Sequence, residues 1–306
     1  MPKATRLQDL IWRAETVGYD LISGIMRLAP IDAASDFGGS LLRLVGPRLP
    51  THRTVLRNLR LAFPAWSDAE REAMARRVWE NAGRVFAEFL MMDRIIGDPS
   101  RIEVPDPGTI ERMFETDKPI LLVSGHFANF EIIGAALCAH APSPCLIAYR
   151  GLNNPYIDAR MKEMRRRYGI ELFAPKTAEG GRQMLSALKN RVPLGILMDQ
   201  KYNEGLLAPF FGHDVHTQHA PVRFAQRYGA VMHMGWVERT KGARFRLYPY
   251  ETIVLEPGGG HEAVADSLAK VNAFIEDRAR ARPWEYWWVH RRFPDALYAE
   301  LAAQGY

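Results

Sequence analysis

The chain has 306 residues, with 40 Lys+Arg against 35 Asp+Glu, 47% hydrophobic residues, 25% charged residues and two cysteines. That composition excludes wholesale disorder, a collagen-like repeat and a disulfide scaffold, and the length suits one large α/β domain or two small ones. The net charge of +5 is small, but only eight of the 40 basic residues are lysine, and arginine in this excess points to an anionic partner: nucleic acid, lipid headgroup or acidic protein.

The charged start MPKATRLQDLIWRAE has no signal-peptide run, so the chain is expected to stay on the cytoplasmic side. No stretch reaches the ~18–20 uncharged apolar residues of a membrane span. The nearest, 17–45, is broken by Asp20, Arg27, Asp32, Asp36 and Arg43, and its pieces YDLISGIM and FGGSLLRLVG fit a membrane interface and ordinary packing helices equally well. The pattern is helical from residue 7 to about 96. Thr51 is placed to cap THRTVLRNLRLAF, where Arg53, Arg57 and Arg60 form a basic stripe and which Pro64 ends. Ser67-Asp-Ala-Glu70 is a capping box opening a long amphipathic helix, with Met74, Val78, Trp79, Ala82, Val85, Phe86 and Phe89 turned inward.

After GDPSRIEVPDPG the period changes. PILLVSG (119–125), CLIAYR (145–150), VPLGILMD (192–199), AVMHMGWVE (230–238) and ARFRLYPY (243–250) are predicted strands. Helices are predicted at about 128–140, 154–168, 178–190, 218–228 and 261–281. Strands alternating with helices predict an α/β fold with a central, mostly parallel or mixed sheet flanked by helices. Cys138 and Cys145 lack CxxC spacing and read as buried thiols in a reducing compartment. The loop EPGGGHE (256–262) lacks the spacing of a phosphate-binding loop and reads as a turn, which disfavours Rossmann-type and P-loop enzymes.

The sharpest local feature is SGHFANFE (124–131), where a buried strand ends and a helix starts, the position at which open α/β sheets bind ligands. There His126 is a candidate general base, and Glu131, one turn into the helix, a candidate to orient its imidazole. Arg150 ends the next strand at the same edge, ahead of Asn153-Asn154-Pro155, Asp158 and the run Arg165-Arg166-Arg167. Asp199 ends another strand, and the segment after it, through PFFG (209–212) and HDVHTQH (213–219), reads as loop, with Phe210 and Phe211 as pocket lining or core. His213, His216 and His219 with Asp214 suggest a metal cluster, although residues at i, i+3 and i+6 do not all share a helix face. The segment PWEYWWVHRRF (283–293) sets aromatics beside basic groups, which suits a membrane interface, a core corner or stacking on single-stranded nucleic acid.

Taken together, GHFANFE, YR..NNP.ID, DQ...G...PFFG and PWEYWWVHRRF resemble the bacterial lipid A late acyltransferases, the lauroyl/myristoyl transferase family, in motif order from roughly residue 50 to 293. The resemblance implies a glycerol-phosphate-acyltransferase-like α/β core over 106–306, preceded by an all-helical, membrane-associated region over 1–105. It implies transfer of a fatty acyl chain to a hydroxyl of a lipid A precursor. The donor co-substrate is acyl carrier protein with its phosphopantetheine arm, there is no other cofactor or metal, and no nucleic acid is bound. It also implies attachment, peripheral or monotopic, to the cytoplasmic face of the inner membrane, although many relatives begin with a spanning helix and this charged N-terminus is not one. His126 and Glu131 match the HxxxxE motif as base and orienting partner, and Arg165 matches the arginine that grips an oxyanion or a phosphate. Arg150, Asn154, Asp199 and Asn129 fall in family motifs as substrate-binding positions, and Arg57 is expected, with its stripe, to meet acidic carrier protein or lipid phosphate.

That chemistry agrees with the residues themselves. A base activates the acceptor hydroxyl, a guanidinium meets the developing charge, and an already activated thioester needs no acyl-enzyme. Competing readings are a metal-dependent hydrolase built on Asp199 and the 213–219 histidines, a non-catalytic membrane-binding module, and acyl transfer to another lipid acceptor or from coenzyme A.

Overall fold

The computed structural model describes residues 5–306 apart from 107, 176 and 256. Five helices come first, α1 (Arg6–Leu28), α2 (Ile31–Val45), α3 (His52–Ala62), α4 (Asp68–Phe89) and α5 (Met92–Ile96). A short strand, β1 (Ile102–Glu103), and one helical turn, α6 (Thr109–Arg112), lead into the alternating part. This runs β2 (Ile120–Ser124), α7 (Glu131–His140), β3 (Leu146–Tyr149), α8 (Pro155–Arg167), β4 (Leu172–Pro175), α9 (Ala178–Lys189) and β5 (Leu194–Leu197). The hairpin β6 (Leu206–Phe210) and β7 (His213–Thr217), α10 (Ala220–Arg227), β8 (Val231–Lys241), β9 (Arg244–Val254), α11 (Gly260–Ala281) and α12 (Asp295–Ala303) complete the chain.

Seven strands form one mixed sheet in the order β1-β9-β8-β2-β5-β3-β4, parallel except where β9 returns antiparallel beside β8. Alternation along β2 divides the two faces. Leu121 and Val123 pack with Leu188 of α9, Val222 of α10 and Phe274 of α11, while the opposite face, with Leu122 and Ser124, lies under α7. The sheet is therefore covered on both sides, as the near-continuous apolar runs of its strands demand.

All five predicted strands and the helices between them are present. The strands β1, β4, β6 and β7 and the helices α6 and α12 were not predicted. The strand β4 is short and ends in Pro175, which the sheet tolerates because β4 is an edge strand. The hairpin β6–β7 runs through the segment expected to be loop. Phe211 and Gly212 both take positive φ, 51° and 75°, which makes a two-residue hairpin turn of the PFFG motif. The strand β1 has only two residues and owes its register to β9.

The capping box at Ser67 and Glu70 forms, with both reciprocal hydrogen bonds, and is worth about 1 kcal/mol to α4. Thr51, by contrast, makes no side-chain cap on α3, because its backbone is already helical. Phe86 also departs from its predicted inward position and is 57% exposed. The helix α2 lies so close to α4 that a Cβ on Gly83 would sit 2.0 Å from the Gly38 carbonyl oxygen, and this glycine contact leaves Phe37, Leu41 and Leu44 facing out.

The first helix is turned against the usual rule. Its polar side meets the protein: Tyr156 donates to Asp9 (2.6 Å), Asn154 to the Trp12 carbonyl (2.9 Å), Arg160 to Asp20 (2.8 Å) and Arg27 to Asp93 (2.7 Å). Leu7, Leu10, Leu21, Ile25 and Leu28, at helical spacing on the other side, are exposed. None of the described helices is long and apolar enough to cross a membrane.

Candidate active site

The register of the sheet assembles the site. Ser124 pairs with Leu197 across the parallel strands β2 and β5, and the Met198 N–H donates to the Ser124 carbonyl at 3.0 Å. His126 and Asp199, each two residues beyond that pair, therefore meet. The imidazole Nδ1 lies 2.6 Å from Asp199 Oδ1, and the His126 backbone N–H donates to Asp199 Oδ2 at 2.7 Å. Both side chains are buried. A side chain at Gly125 would place Cβ 2.8 Å from the Phe127 ring and 3.3 Å from Asp199 Oδ2, so the turn into the site requires glycine.

Burial, the largest influence on Asp199, pushes its pKa up. The charge of His126, the two hydrogen bonds from that residue and the charge of His290 outweigh it and hold the carboxyl at about 2. An ionised carboxylate cannot donate, so Nδ1 carries a proton, and in the neutral ring Nε2 is the nitrogen that presents a lone pair. The Gln200 side-chain nitrogen stands 3.4 Å from this Nε2 and 3.2 Å from Nε2 of His290.

The loop that carries His126 is strained and strapped. Ala128 has φ of 43°, an uncommon backbone state for a residue with a Cβ. Its N–H donates to the Glu285 carbonyl at 2.9 Å, the Trp287 N–H donates to the His126 carbonyl at 3.1 Å, and Phe127 bridges to Tyr286. The aromatic motif at 283–293 thus acts as a clamp on the loop that carries His126, with Tyr286 and Trp288 buried and Trp287 half-buried.

Across from the imidazole sits a second pair. Glu131 receives the Arg165 Nε–H at 3.0 Å, a second hydrogen bond from Arg165 Nη2, and the Tyr168 hydroxyl at 3.0 Å. Burial, the largest influence on Arg165, works to lower its pKa, but the charge and hydrogen bonds of Glu131 more than reverse this, so the guanidinium remains charged. Its Nη1 is buried and makes no hydrogen bond. His126, Glu131, Arg165, Gln200 and His290 all line one cavity of about 370 Å³ between the sheet and α7, whose other walls are chiefly apolar. The exposed Arg150 lines it too.

Several expected partnerships differ. The HxxxxE pair does not form: Glu131 is taken up by Arg165 and Tyr168, and the partner of His126 is Asp199, because the parallel register brings Asp199 alongside while the helix carries Glu131 toward α8. Asp199 is accordingly not a cavity-lining contact. Asn154 accepts from the Tyr156 and Ile157 N–H groups as the cap of α8 and donates to Trp12 and Glu15, clasping α1. Asn129 donates to Glu88 (2.9 Å) and accepts from the Glu131 N–H, fully buried and outside the cavity. Arg57 donates to the Tyr306 carbonyl (2.8 Å) and Arg60 stacks on the Tyr306 ring, so two of the three arginines in the basic stripe hold the C-terminal residue.

His213 and His216 lie on β7, where His216 bonds the Gly205 carbonyl, and among the described residues no three His, Cys, Asp or Glu side chains converge as metal ligands would. The metallohydrolase reading has no site among the described residues. Gln200, His290 and Tyr168 were not singled out as site residues. The first two stand inside motifs that were, next to Asp199 and within PWEYWWVHRRF, but nothing in their spacing assigns them to this cavity.

The family model of bacterial lipid A biosynthesis acyltransferases matches residues 17–294. The chain belongs to that family. It is similar to the lipid A biosynthesis palmitoleoyltransferase of Escherichia coli (strain K12), 26% identical over 258 residues covering 81% of this chain and 80% of the relative. It is similar also to the lipid A biosynthesis lauroyltransferase of the same organism, 28% identical over 250 residues covering 79% and 78%. A lipid A biosynthesis acyltransferase of Shigella flexneri matches at 26% over 258 residues, covering 81% and 80%.

Proposed function

We propose that this acyltransferase moves a fatty acyl chain from the thioester of acyl carrier protein to a hydroxyl of a lipid A precursor, at the cytoplasmic face of the inner membrane. Membership of the family and the names of its relatives supply the reaction class. The observation that carries the mechanism is the imidazole–carboxylate pair and the charged guanidinium on the wall of one apolar cavity.

His126 Nε2 takes the proton of the acceptor hydroxyl as its oxygen attacks the thioester carbonyl, and Asp199 holds the imidazole tautomer and stabilises the imidazolium that forms. The carbonyl oxygen gains charge, and the N–H groups of Arg165 Nη1 are the donors left over to meet it, while Glu131 fixes the rest of the guanidinium. Collapse of the tetrahedral intermediate breaks the C–S bond, and the imidazolium returns its proton to the leaving thiolate. No enzyme nucleophile is needed. Arg150 is placed to pair with a phosphate of donor or acceptor.

The outward apolar side of α1 supports membrane attachment without a span, since such a face lies readily in the headgroup region. Phe86 is a further exposed apolar side chain, and it packs edge-on against Trp287, which lines the cavity.

Mass spectrometry of lipid A from cells with and without the protein tests the reading: one secondary acyl chain is expected to be missing without it. Unchanged lipid A overturns the acceptor, and an acyl-protein adduct trapped in a single turnover overturns direct transfer.

A further inference from the structure

One group in the cavity does not belong with its apolar walls. His233 lies on β8, beside Leu122 of β2, two residues or roughly 7 Å back from the strand end that delivers His126. Its side chain lines the same cavity as the catalytic pair, and the residue is only 8% exposed. Nδ1 is fixed by the Thr252 hydroxyl at 2.9 Å, while Nε2 makes no hydrogen bond of normal geometry, the Met113 backbone acting on the ring only weakly. The cavity is lined also by Ile110, Met113, Leu247 and Leu122, the last being the register partner of His233 on β2.

An unsubstituted alkyl chain laid against this nitrogen leaves a buried polar atom unpaired, at a cost that a hydroxyl on the chain removes. A hydroxyl suits the position whichever way the proton sits. If Nδ1–H donates to Thr252, Nε2 accepts from the ligand; if Thr252 donates, Nε2–H donates to it. A carbonyl or an ammonium would satisfy only one of these states. Burial, set only partly against the Met113 backbone, keeps the imidazole below its ordinary pKa and so favours the neutral ring.

Space is reserved in the same region. Gly195 is paired directly with Leu122, and a Cβ there would stand 2.7 Å from Ile147 Cδ1. Gly235, two residues beyond His233, would bring a Cβ within 3.3 Å of Ile133 Cδ1. Both glycines line the cavity, where larger side chains would close it around the imidazole.

We propose that His233 is a specificity-determining residue that selects an acyl chain carrying a hydroxyl group away from its carbonyl end, through a hydrogen bond to Nε2. The identity of the ligand as an acyl chain rests on the proposed acyl-transfer function; the polar contact does not depend on catalysis.

The test is therefore binding first and transfer second. Dodecanoic acid and its positional monohydroxy isomers compete with a fluorescent fatty acid for the purified full chain. One isomer, or two adjacent ones hydroxylated away from C1, is expected to bind about tenfold tighter than the parent acid, the order of one hydrogen bond. His233→Leu is expected to erase that preference, and His233→Gln to retain part of it, which shows that a folded cavity is being read. Equal binding of parent and isomers by the unaltered protein overturns the proposal, as does a preference that survives His233→Leu or is lost fully in a folded His233→Gln. A longer chain-length optimum in His233→Leu without any hydroxyl preference in the unaltered protein also overturns it, making the imidazole a polar stop. With acyl thioesters as donors, transfer without hydroxyl preference sinks this inference alone. Preferential binding with no transfer from any donor sinks the proposed activity and leaves the binding preference standing.

Discussion

The cavity wall and the first helix break the same rule in opposite directions. In the wall, His126, Glu131 and Arg165, with Asp199 directly behind His126, are charged or titratable and buried, each held by a named partner. Along α1, Leu7, Leu10, Leu21, Ile25 and Leu28 are apolar and exposed, and the helix is held down by its polar side. Buried polar groups in low dielectric suit the handling of charge, and an apolar face left in solvent suits contact with another apolar phase. Both lie on a single framework joined through α8, whose Arg165 faces the cavity and whose Asn154 and Arg160 grip α1.

That comparison is broken most sharply at the wall. His126→Ala and Asp199→Asn are each expected to lower kcat by roughly 10²–10⁴-fold, since one removes the proposed base and the other its tautomer and its countercharge. Equal activity in His126→Ala by a transfer assay would end the mechanism. Glu131→Gln strands the buried Arg165, and a loss of about 3–5 kcal/mol in urea unfolding is expected together with reduced kcat. Stability unchanged in that variant would mean that Arg165 finds another partner. On the helix, changing Leu21, Ile25 and Leu28 together to Glu is expected to weaken binding to vesicles roughly 10- to 100-fold, leaving unfolding and turnover in detergent unaffected. Vesicle binding that survives this triple change removes α1 as the membrane face.

The smallest effect concerns acid. The Asp199 carboxyl sits at about 2 when folded, below the 3.8 of a free carboxyl, so its contribution of about 2 kcal/mol is fully present above about pH 4 and is lost as the pH falls toward 2. Urea unfolding at pH 6 and at pH 3 is expected to show a smaller acid-induced loss in Asp199→Asn than in the unaltered chain.

Much of this was legible from residue patterns. The strands predicted at 119–125, 145–150, 192–199, 230–238 and 243–250 are present, because short apolar runs bounded by turn residues have few other ways to be buried. The crevice edge was legible too, since His126, Arg150 and Asp199 all follow strand ends. The pairing was not. A carboxylate five residues along invites assignment to the imidazole, yet the one that binds it is 73 residues away in sequence. The β6–β7 hairpin was read as loop because its turn is made by Phe211, a residue rarely found at positive φ.

The sequence by itself determined the α/β alternation, the capped α4, and which residue types stand at the strand ends, for these follow from periodicity and local chemistry. Only the tertiary structure decided that Asp199 rather than Glu131 pairs with His126, that Asn154, Asn129 and Arg57 are clasps, and that α1 shows its apolar side to solvent. The reason is that a parallel register and a helix's rotation about its axis are set by contacts between distant segments, which no local pattern encodes.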